Sequence, residues 1–167
     1  MTDAAIQDAM PAPALERCDE MGRLVAVTWR GAGAGDDTGS ARWLVAVDGS
    51  ACSLRAVAMA ALERGAEVDL VHVQPWLNKE AAQTELARRG WAATAQARQR
   101  LDAAAVRWRL HVVMGEAAPE IVGLADALGS RGIAIGSHGL SAAESLLLGS
   151  VTYKVVHLAK LPVLIVR

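Results

Sequence analysis

The sequence predicts an α/β fold: a doubly wound parallel sheet of five strands in the order 3-2-1-4-5, with helices on both faces. Three observations lead there. Short, continuous apolar runs of the kind found in strands buried on both faces recur from residue 42 to the end. Between them lie stretches with apolar residues at helical spacing. Such alternation implies right-handed crossovers onto one sheet, whose ligands bind beyond the carboxyl ends of the strands where their order reverses.

WLVAV, residues 43–47, reads as the first strand, and DGSACS supplies Asp and Ser caps for a helix. Leu54, Val57, Ala58, Ala61 and Leu62 draw its apolar stripe, and Gly65 stands where a C-terminal cap would. VDLVHV, residues 68–73, is the second strand, with His72 read as a satisfied core histidine. Residues 79–104 are rich in good helix formers, with Gly90 as the expected point of a kink. VRWRLHVV, residues 106–113, alternates like a third strand nearer an edge. GEAAPE opens a helix carrying Ile121, Val122, Leu124, Ala125 and Leu128 inward, and IAI, residues 133–135, is the fourth strand. Val151, Val155, Leu158 and Ala159 mark the last helix, and PVLIV the fifth strand. The arginines at 88, 89, 98, 100, 107 and 109 are expected on a solvated face.

Residues 1–41 differ. Pro11, Pro13 and GAGAGDDTGS read as flexible connection, and RLVAVTWR, residues 23–30, as an added strand at the sheet edge. The division is therefore an N-terminal extension, 1–41, and a domain, 42–167. GAGAGD does not satisfy the dinucleotide pattern GxGxxG.

Composition narrows the function. With 53% hydrophobic and 21% charged residues the chain is globular, and a formal net charge of -1 argues against a nucleic-acid binder. No stretch approaches a membrane span, and MTDAAIQDAM lacks the basic start of a signal peptide, so a cytoplasmic protein without membrane partners is expected. Cys18 and Cys52 form no CxxC and read as unpaired thiols.

GSHGLSAAESLLLGS, residues 136–150, asks for a ligand. Three glycines at such spacing suggest either positive φ angles or a backbone that something approaches closely. Gly149 and Ser150 fall at a helix N-terminus, whose free N–H groups suit an anion, and the Ser150 hydroxyl could cap the helix or donate to a phosphate. Asp48 and Gly136 leave strands one and four, where the order reverses, although Asp48 serves equally as a turn or cap residue. His138, inside the loop, reads either as a phosphate donor or as a solvated side chain. A P-loop is excluded because no GxxxxGK[ST] occurs.

Gly136, Gly139, Gly149 and Ser150 match the pattern G-x2-G-x9-G-[S/T], and the segment resembles the nucleotide-binding signature of the universal stress protein family. The likeness extends over residues 42–167, through WLVAVDGSACSLRAV, VDLVHV, GEAAPEIV and GSVTYKVVHLAKLPVLIVR. It implies a fold of the adenine nucleotide alpha hydrolase-like kind and ATP or AMP as ligand, with magnesium an optional companion. By the same resemblance Asp48 and the main chain at Val73 would meet the adenine end, Gly136 the ribose, and Gly139, Gly149, Ser150 and Val151 the phosphates. It further implies a homodimer through the C-terminal strand, whose alternative is an edge covered by residues 23–30. One departure is AES at 143–145, which offers Glu144 where many nucleotide-binding members carry a base.

The function so implied is a small regulatory or stress-response protein that binds ATP or AMP and dimerises. The alternative is a nucleotide-independent scaffold that keeps the fold. No convincing pair of base and nucleophile occurs, so turnover beyond slow ATP hydrolysis is not expected.

Overall fold

A computed structural model describes residues 10–34, 42–62, 66–140 and 148–167. Gly65 and Glu144 lie outside the described residues. The strands are β1 (Leu15–Cys18), β2 (Leu24–Arg30), β3 (Trp43–Ala46), β4 (Glu67–Gln74), β5 (Arg107–Met114), β6 (Gly132–Gly136) and β7 (Val163–Val166). The helices are α1 (Ala51–Ala60), α2 (Lys79–Ala93), α3 (Ala95–Ala103), α4 (Ala117–Leu128) and α5 (Ser150–Leu158).

All seven strands form one sheet in the order β1-β2-β5-β4-β3-β6-β7. The neighbours from β5 across to β7 pair in parallel, whereas β1 with β2 and β2 with β5 are antiparallel. The five-stranded parallel sheet expected from the sequence is thus corrected to a mixed sheet of seven. Residues 24–30 do not form its edge, because β1 lies outside them, and they do not cover β7, which lies at the opposite end of the sheet. LERC, residues 15–18, escaped the sequence reading because all four are exposed and show no apolar pattern.

Each sheet face carries its own core. One holds Val45, Leu70, Leu110 and Trp29 with Val57, Leu86 and Leu101 from α1, α2 and α3. The other holds Leu44, Val71 and Ile133 with Ile121 and Ala125 from α4 and Val155 from α5. Alternation along β3, β4 and β5 sends successive side chains to opposite faces, which gives strands buried on both sides their unbroken apolar runs.

Several helical expectations need correction. Ala58 and Leu62 are exposed, and α1 packs through Leu54, Ala56, Val57 and Ala60. Val151 and Leu158 are exposed too, because α5 turns Thr152 and Val155 inward. The long helix breaks at Thr94, not Gly90. The Thr94 hydroxyl donates to the Gly90 carbonyl at 2.8 Å, competing with the backbone ladder. Gly90 instead lets α2 sit on β5, since a Cβ there would collide with Val112.

Of the arginines expected in solvent, Arg98 is buried and Arg109 half-buried. Arg98 lies over the Trp91 ring, 3.3 Å from its centroid, and donates to the Trp91 carbonyl at 2.8 Å. Arg109 forms a bidentate pair with the buried Asp69, at 2.6 and 2.8 Å, and His111 Nε2 stands 3.3 Å from the same carboxylate. Burial alone would raise the Asp69 pKa, but the hydrogen bonds from His111 and Arg109 outweigh it and hold the carboxyl below its usual range. His111 Nδ1 is 3.3 Å from the Thr28 hydroxyl, so this polar chain runs from β4 through β5 into β2.

Two helices end in the same way with different residues. After α4, Gly129 at φ 62° donates to Asp126 and Ser130 N–H reaches the Ala125 carbonyl; after α3, Ala105 at φ 51° donates to Asp102 and Val106 N–H reaches Leu101. Both are Schellman endings, but the second forces a side chain into the left-handed region. Ala105→Gly should therefore stabilise the protein and Gly129→Ala destabilise it, each by about 1 kcal/mol. Opposite shifts in chemical denaturation midpoint would bear this out; equal signs would refute it.

Candidate functional site

The strand order reverses between β3 and β6, so the chain departs in opposite directions from their carboxyl ends and leaves a gap. The β3 side is built by Asp48, Gly49 and Ser50. Gly49 takes φ 85°, which turns the chain so that Ser50 can cap α1, its side chain accepting from Ser53 N–H at 3.2 Å. Asp48 ties the two sides together. Its Oδ1 accepts from Ser50 N–H at 2.9 Å, and its Oδ2 from Leu140 N–H at 3.3 Å.

The β6 side is built around Gly136. A Cβ there would lie 2.7 Å from Cys52 Cβ and 2.8 Å from Ser53 N, so the first turn of α1 rests directly on the strand. The buried Thr152 hydroxyl donates to the Gly136 carbonyl at 2.7 Å and fixes the first turn of α5 to the same residue. Ser137 N–H donates to Val166 at the end of β7, and its carbonyl accepts from Gly149 N–H, both at 2.7 Å.

Gly149, not Ser150, is the N-cap of α5. Having no side chain, it provides no cap hydrogen bond, and Ser150 becomes the first helical residue. The first-turn N–H groups of a helix have no intrahelical acceptor. Ser150, Val151 and Thr152 all line the opening at this point.

These ends enclose a cleft of about 260 Å³. Asp48, Val73, Gly136, Gly139, Gly149, Ser150 and Val151, the residues singled out from the sequence, all line it. None of the three loop glycines has a positive φ, so left-handed backbone does not explain their spacing. Their approaches differ: Gly136 meets α1, Gly139 faces Asp48 Oδ2 at 2.8 Å from where its Cβ would be, and Gly149 has ordinary clearance of 3.4 Å or more.

His72 lines the cleft while its Nδ1 donates to the Val47 carbonyl at 2.9 Å, which satisfies one ring nitrogen. His138 Nδ1 is 2.9 Å from the Ser137 hydroxyl. Among the described residues lining the cleft, Asp48 is the sole carboxylate and no Lys or Arg occurs. No cluster of three or more metal-ligating side chains exists among the described residues. Sequence reasoning missed Ser137, Leu140 and Thr152. Of these Thr152 was accessible, since it stands three residues before Val155 on one helix face.

Fold and cleft define an α/β protein of the doubly wound class, open to a small ligand at the carboxyl ends of its parallel strands. The family model for the universal stress protein family matches residues 41–167, and the chain belongs to that family. It is 32% identical to the universal stress protein YxiE of Bacillus subtilis (strain 168) over 149 residues, covering 75% of this chain and 98% of that protein. Among solved structures it is similar to the universal stress protein from Archaeoglobus fulgidus in complex with dAMP, at 25% identity and a TM-score of 0.58, covering 77% of this chain and 98% of that one. It is also similar to a universal stress protein in complex with cAMP, at 28% identity and a TM-score of 0.55, covering 76% and 96% of the two chains.

The different surroundings of the glycines make an outcome measurable without ligand. Gly136→Ala should destabilise the protein by about 1–3 kcal/mol, because backbone atoms of α1 must shift. Gly149→Ala, which meets only ordinary contacts, should cost less, about 1 kcal/mol or below, the difference between glycine and alanine at an N-cap. Thermal unfolding of the two variants checks this, and equal losses would contradict it.

Proposed function

We propose that this protein binds an adenine nucleotide in the cleft and acts in the cytoplasm as a small regulatory stress protein, through nucleotide-linked binding and dimerisation. The observation that carries the reading is the meeting of Asp48, Val73, Gly136, Gly139, Gly149, Ser150 and Val151 around one opening, beside a helix N-terminus left uncapped by glycine. The relatives in complex with dAMP and cAMP support the ligand class. In this reading Asp48 and the Val73 main chain take the base, Gly136 borders the ribose, and Gly139, Gly149, Ser150 and Val151 surround the phosphates of ATP or AMP. Helix N–H groups and serine hydroxyls supply the hydrogen bonds, each charge-assisted one contributing about 1.5–3 kcal/mol. Magnesium, where used, would be held chiefly by the phosphates, since Asp48 is the one carboxylate among the described lining residues.

That same shortage of cations favours a second reading, a scaffold that keeps the fold with weak nucleotide affinity. Two measurements separate them: mass analysis of nucleotide released from the purified protein on denaturation, and calorimetric titration with ATP and AMP. We expect micromolar to millimolar binding that Gly149→Val weakens about tenfold or more, in a variant still folded by circular dichroism. No released nucleotide and no heat at millimolar concentration would leave the scaffold.

Dimerisation is assigned to β7. It ends the sheet with Val163, Leu164, Ile165 and Val166, and an apolar edge invites pairing with a second copy. The other edge, β1, is four residues long, carries Glu16 and Arg17, and has a bulge between Arg17 and Cys18. Such features discourage pairing. Sedimentation should give a dimer for the parent chain and a monomer for Ile165→Glu. A monomeric parent, or an undisturbed dimer in the variant, would count against this edge.

A further inference from the structure

The cleft between β3 and β6 is short of positive charge from every side. Asp48 lines it, and no Lys or Arg does among the described residues. The Lys and Arg residues near the starts of the helices at this end of the sheet are engaged elsewhere. Arg55 in α1 donates to the Arg167 carbonyl and to Cys52 Sγ, Lys79 in α2 donates to the Met21 carbonyl, and Lys154 in α5 pairs with Glu116. α4 contains neither residue type. The stretch 141–147, SAAESLL, adds Glu144 and no Lys or Arg. We propose that the cleft selects a nucleoside monophosphate over the triphosphate, and that Leu140 sets this choice. Such selection rests on the cleft being a nucleotide site.

The supply of donors matches one phosphoryl group. Gly149 N–H is spent on the Ser137 carbonyl, Leu140 N–H on Asp48 and the Thr152 hydroxyl on the Gly136 carbonyl. Of the two histidines in the lining, His72 has Nδ1 on the Val47 carbonyl, and His138 Nδ1 lies 2.9 Å from the Ser137 hydroxyl. What remains at the phosphate end is the first turn of α5, whose N–H groups have no intrahelical acceptor, and the Ser150 hydroxyl. The oxygens of a single phosphate monoester can take up that set. A longer phosphate chain finds no second set.

Leu140 governs what lies beyond that first group. It follows Gly139 directly, its N–H is held by Asp48 Oδ2 at 3.3 Å, and it lines the cleft while 74% exposed, which places it at the rim. On the α5 side the rim is apolar as well, with Val151 38% exposed. Further phosphates reaching this rim exchange water for hydrocarbon and receive no hydrogen bond in return. They also bring more negative charge toward Asp48, with no Lys or Arg in the lining to offset it. A monophosphate that ends at the first turn of α5 avoids both costs.

Calorimetric titration of the full chain with AMP and with ATP, in magnesium-free buffer, tests the choice. AMP should bind at least about tenfold more tightly than ATP. Added salt should narrow that gap, because it screens repulsion between exposed charges. Leu140→Lys should raise ATP affinity about tenfold while changing AMP affinity by no more than about threefold. A damaged fold cannot mimic that gain. Leu140→Gln, uncharged and of similar size, should leave ATP the weaker ligand. ATP binding as tightly as AMP, or a ratio of the two that Leu140→Lys does not move, would overturn the selection while leaving the nucleotide site in place. Binding of neither nucleotide at about 5 mM would overturn both.

Discussion

The cleft depends on the seating of two helix N-termini on one residue. Gly136 accepts the first turn of α1 against its Cα, at distances no side chain would allow, and its carbonyl takes the Thr152 hydroxyl from the first turn of α5. With both helices fixed to the last residue of β6, the separation between them is set by the strand and not by the loop. Asp48 then closes the arrangement from the β3 side through Ser50 and Leu140. A glycine at this position is thus a packing requirement before it is a ligand requirement. The cleft exists because the backbone at Gly136 is bare.

The extension changes what the sheet can do at its ends. A parallel sheet of five strands would leave β5 as a second open edge. Here β2 occupies it, and the Asp69, Arg109, His111 and Thr28 chain fastens β2 from within. Charges of this sort are tolerated in the interior only with partners, and Asp69 has them on two sides, which is why its carboxyl stays ionised despite burial. β1 then finishes the sheet as a short, charged, bulged strand. The outcome is asymmetric, with an apolar edge at β7 and a guarded one at β1.

How much of this could be read in the sequence depended on whether burial and periodicity coincided. The runs at 43–47, 68–73 and 133–135 were legible because strands covered on both faces are apolar at nearly every position; the last two lie within β4 and β6, and the first overruns β3 by Val47 alone. The meeting of Asp48 with Gly136 followed from the reversal of strand order. β1 was illegible because main-chain pairing with β2 makes it a strand while all its side chains face water. The α5 stripe was misread because its buried face uses a hydroxyl, Thr152, whose partner is a carbonyl on another strand. Arg98 was misread because a guanidinium can lie flat on an indole and donate to a carbonyl, which a count of charges does not reveal.

The glycine motif also shows how one pattern can serve three physical purposes. Gly136 admits α1, Gly139 stands clear of the Asp48 carboxylate, and Gly149 leaves α5 without a cap. Only the last leaves hydrogen-bond donors unspent. Gly149 N–H is already given to Ser137 and Leu140 N–H to Asp48, so those two amides contribute to the frame of the cleft. Among the described residues the free capacity lies in the first turn of α5, beginning at Ser150. An anion docking there would meet main-chain dipoles, with no Lys or Arg among the described residues that line the cleft, so geometry would count for more than net charge. The position of those donors depends on where α5 sits relative to β6, and the Thr152 to Gly136 hydrogen bond fixes it.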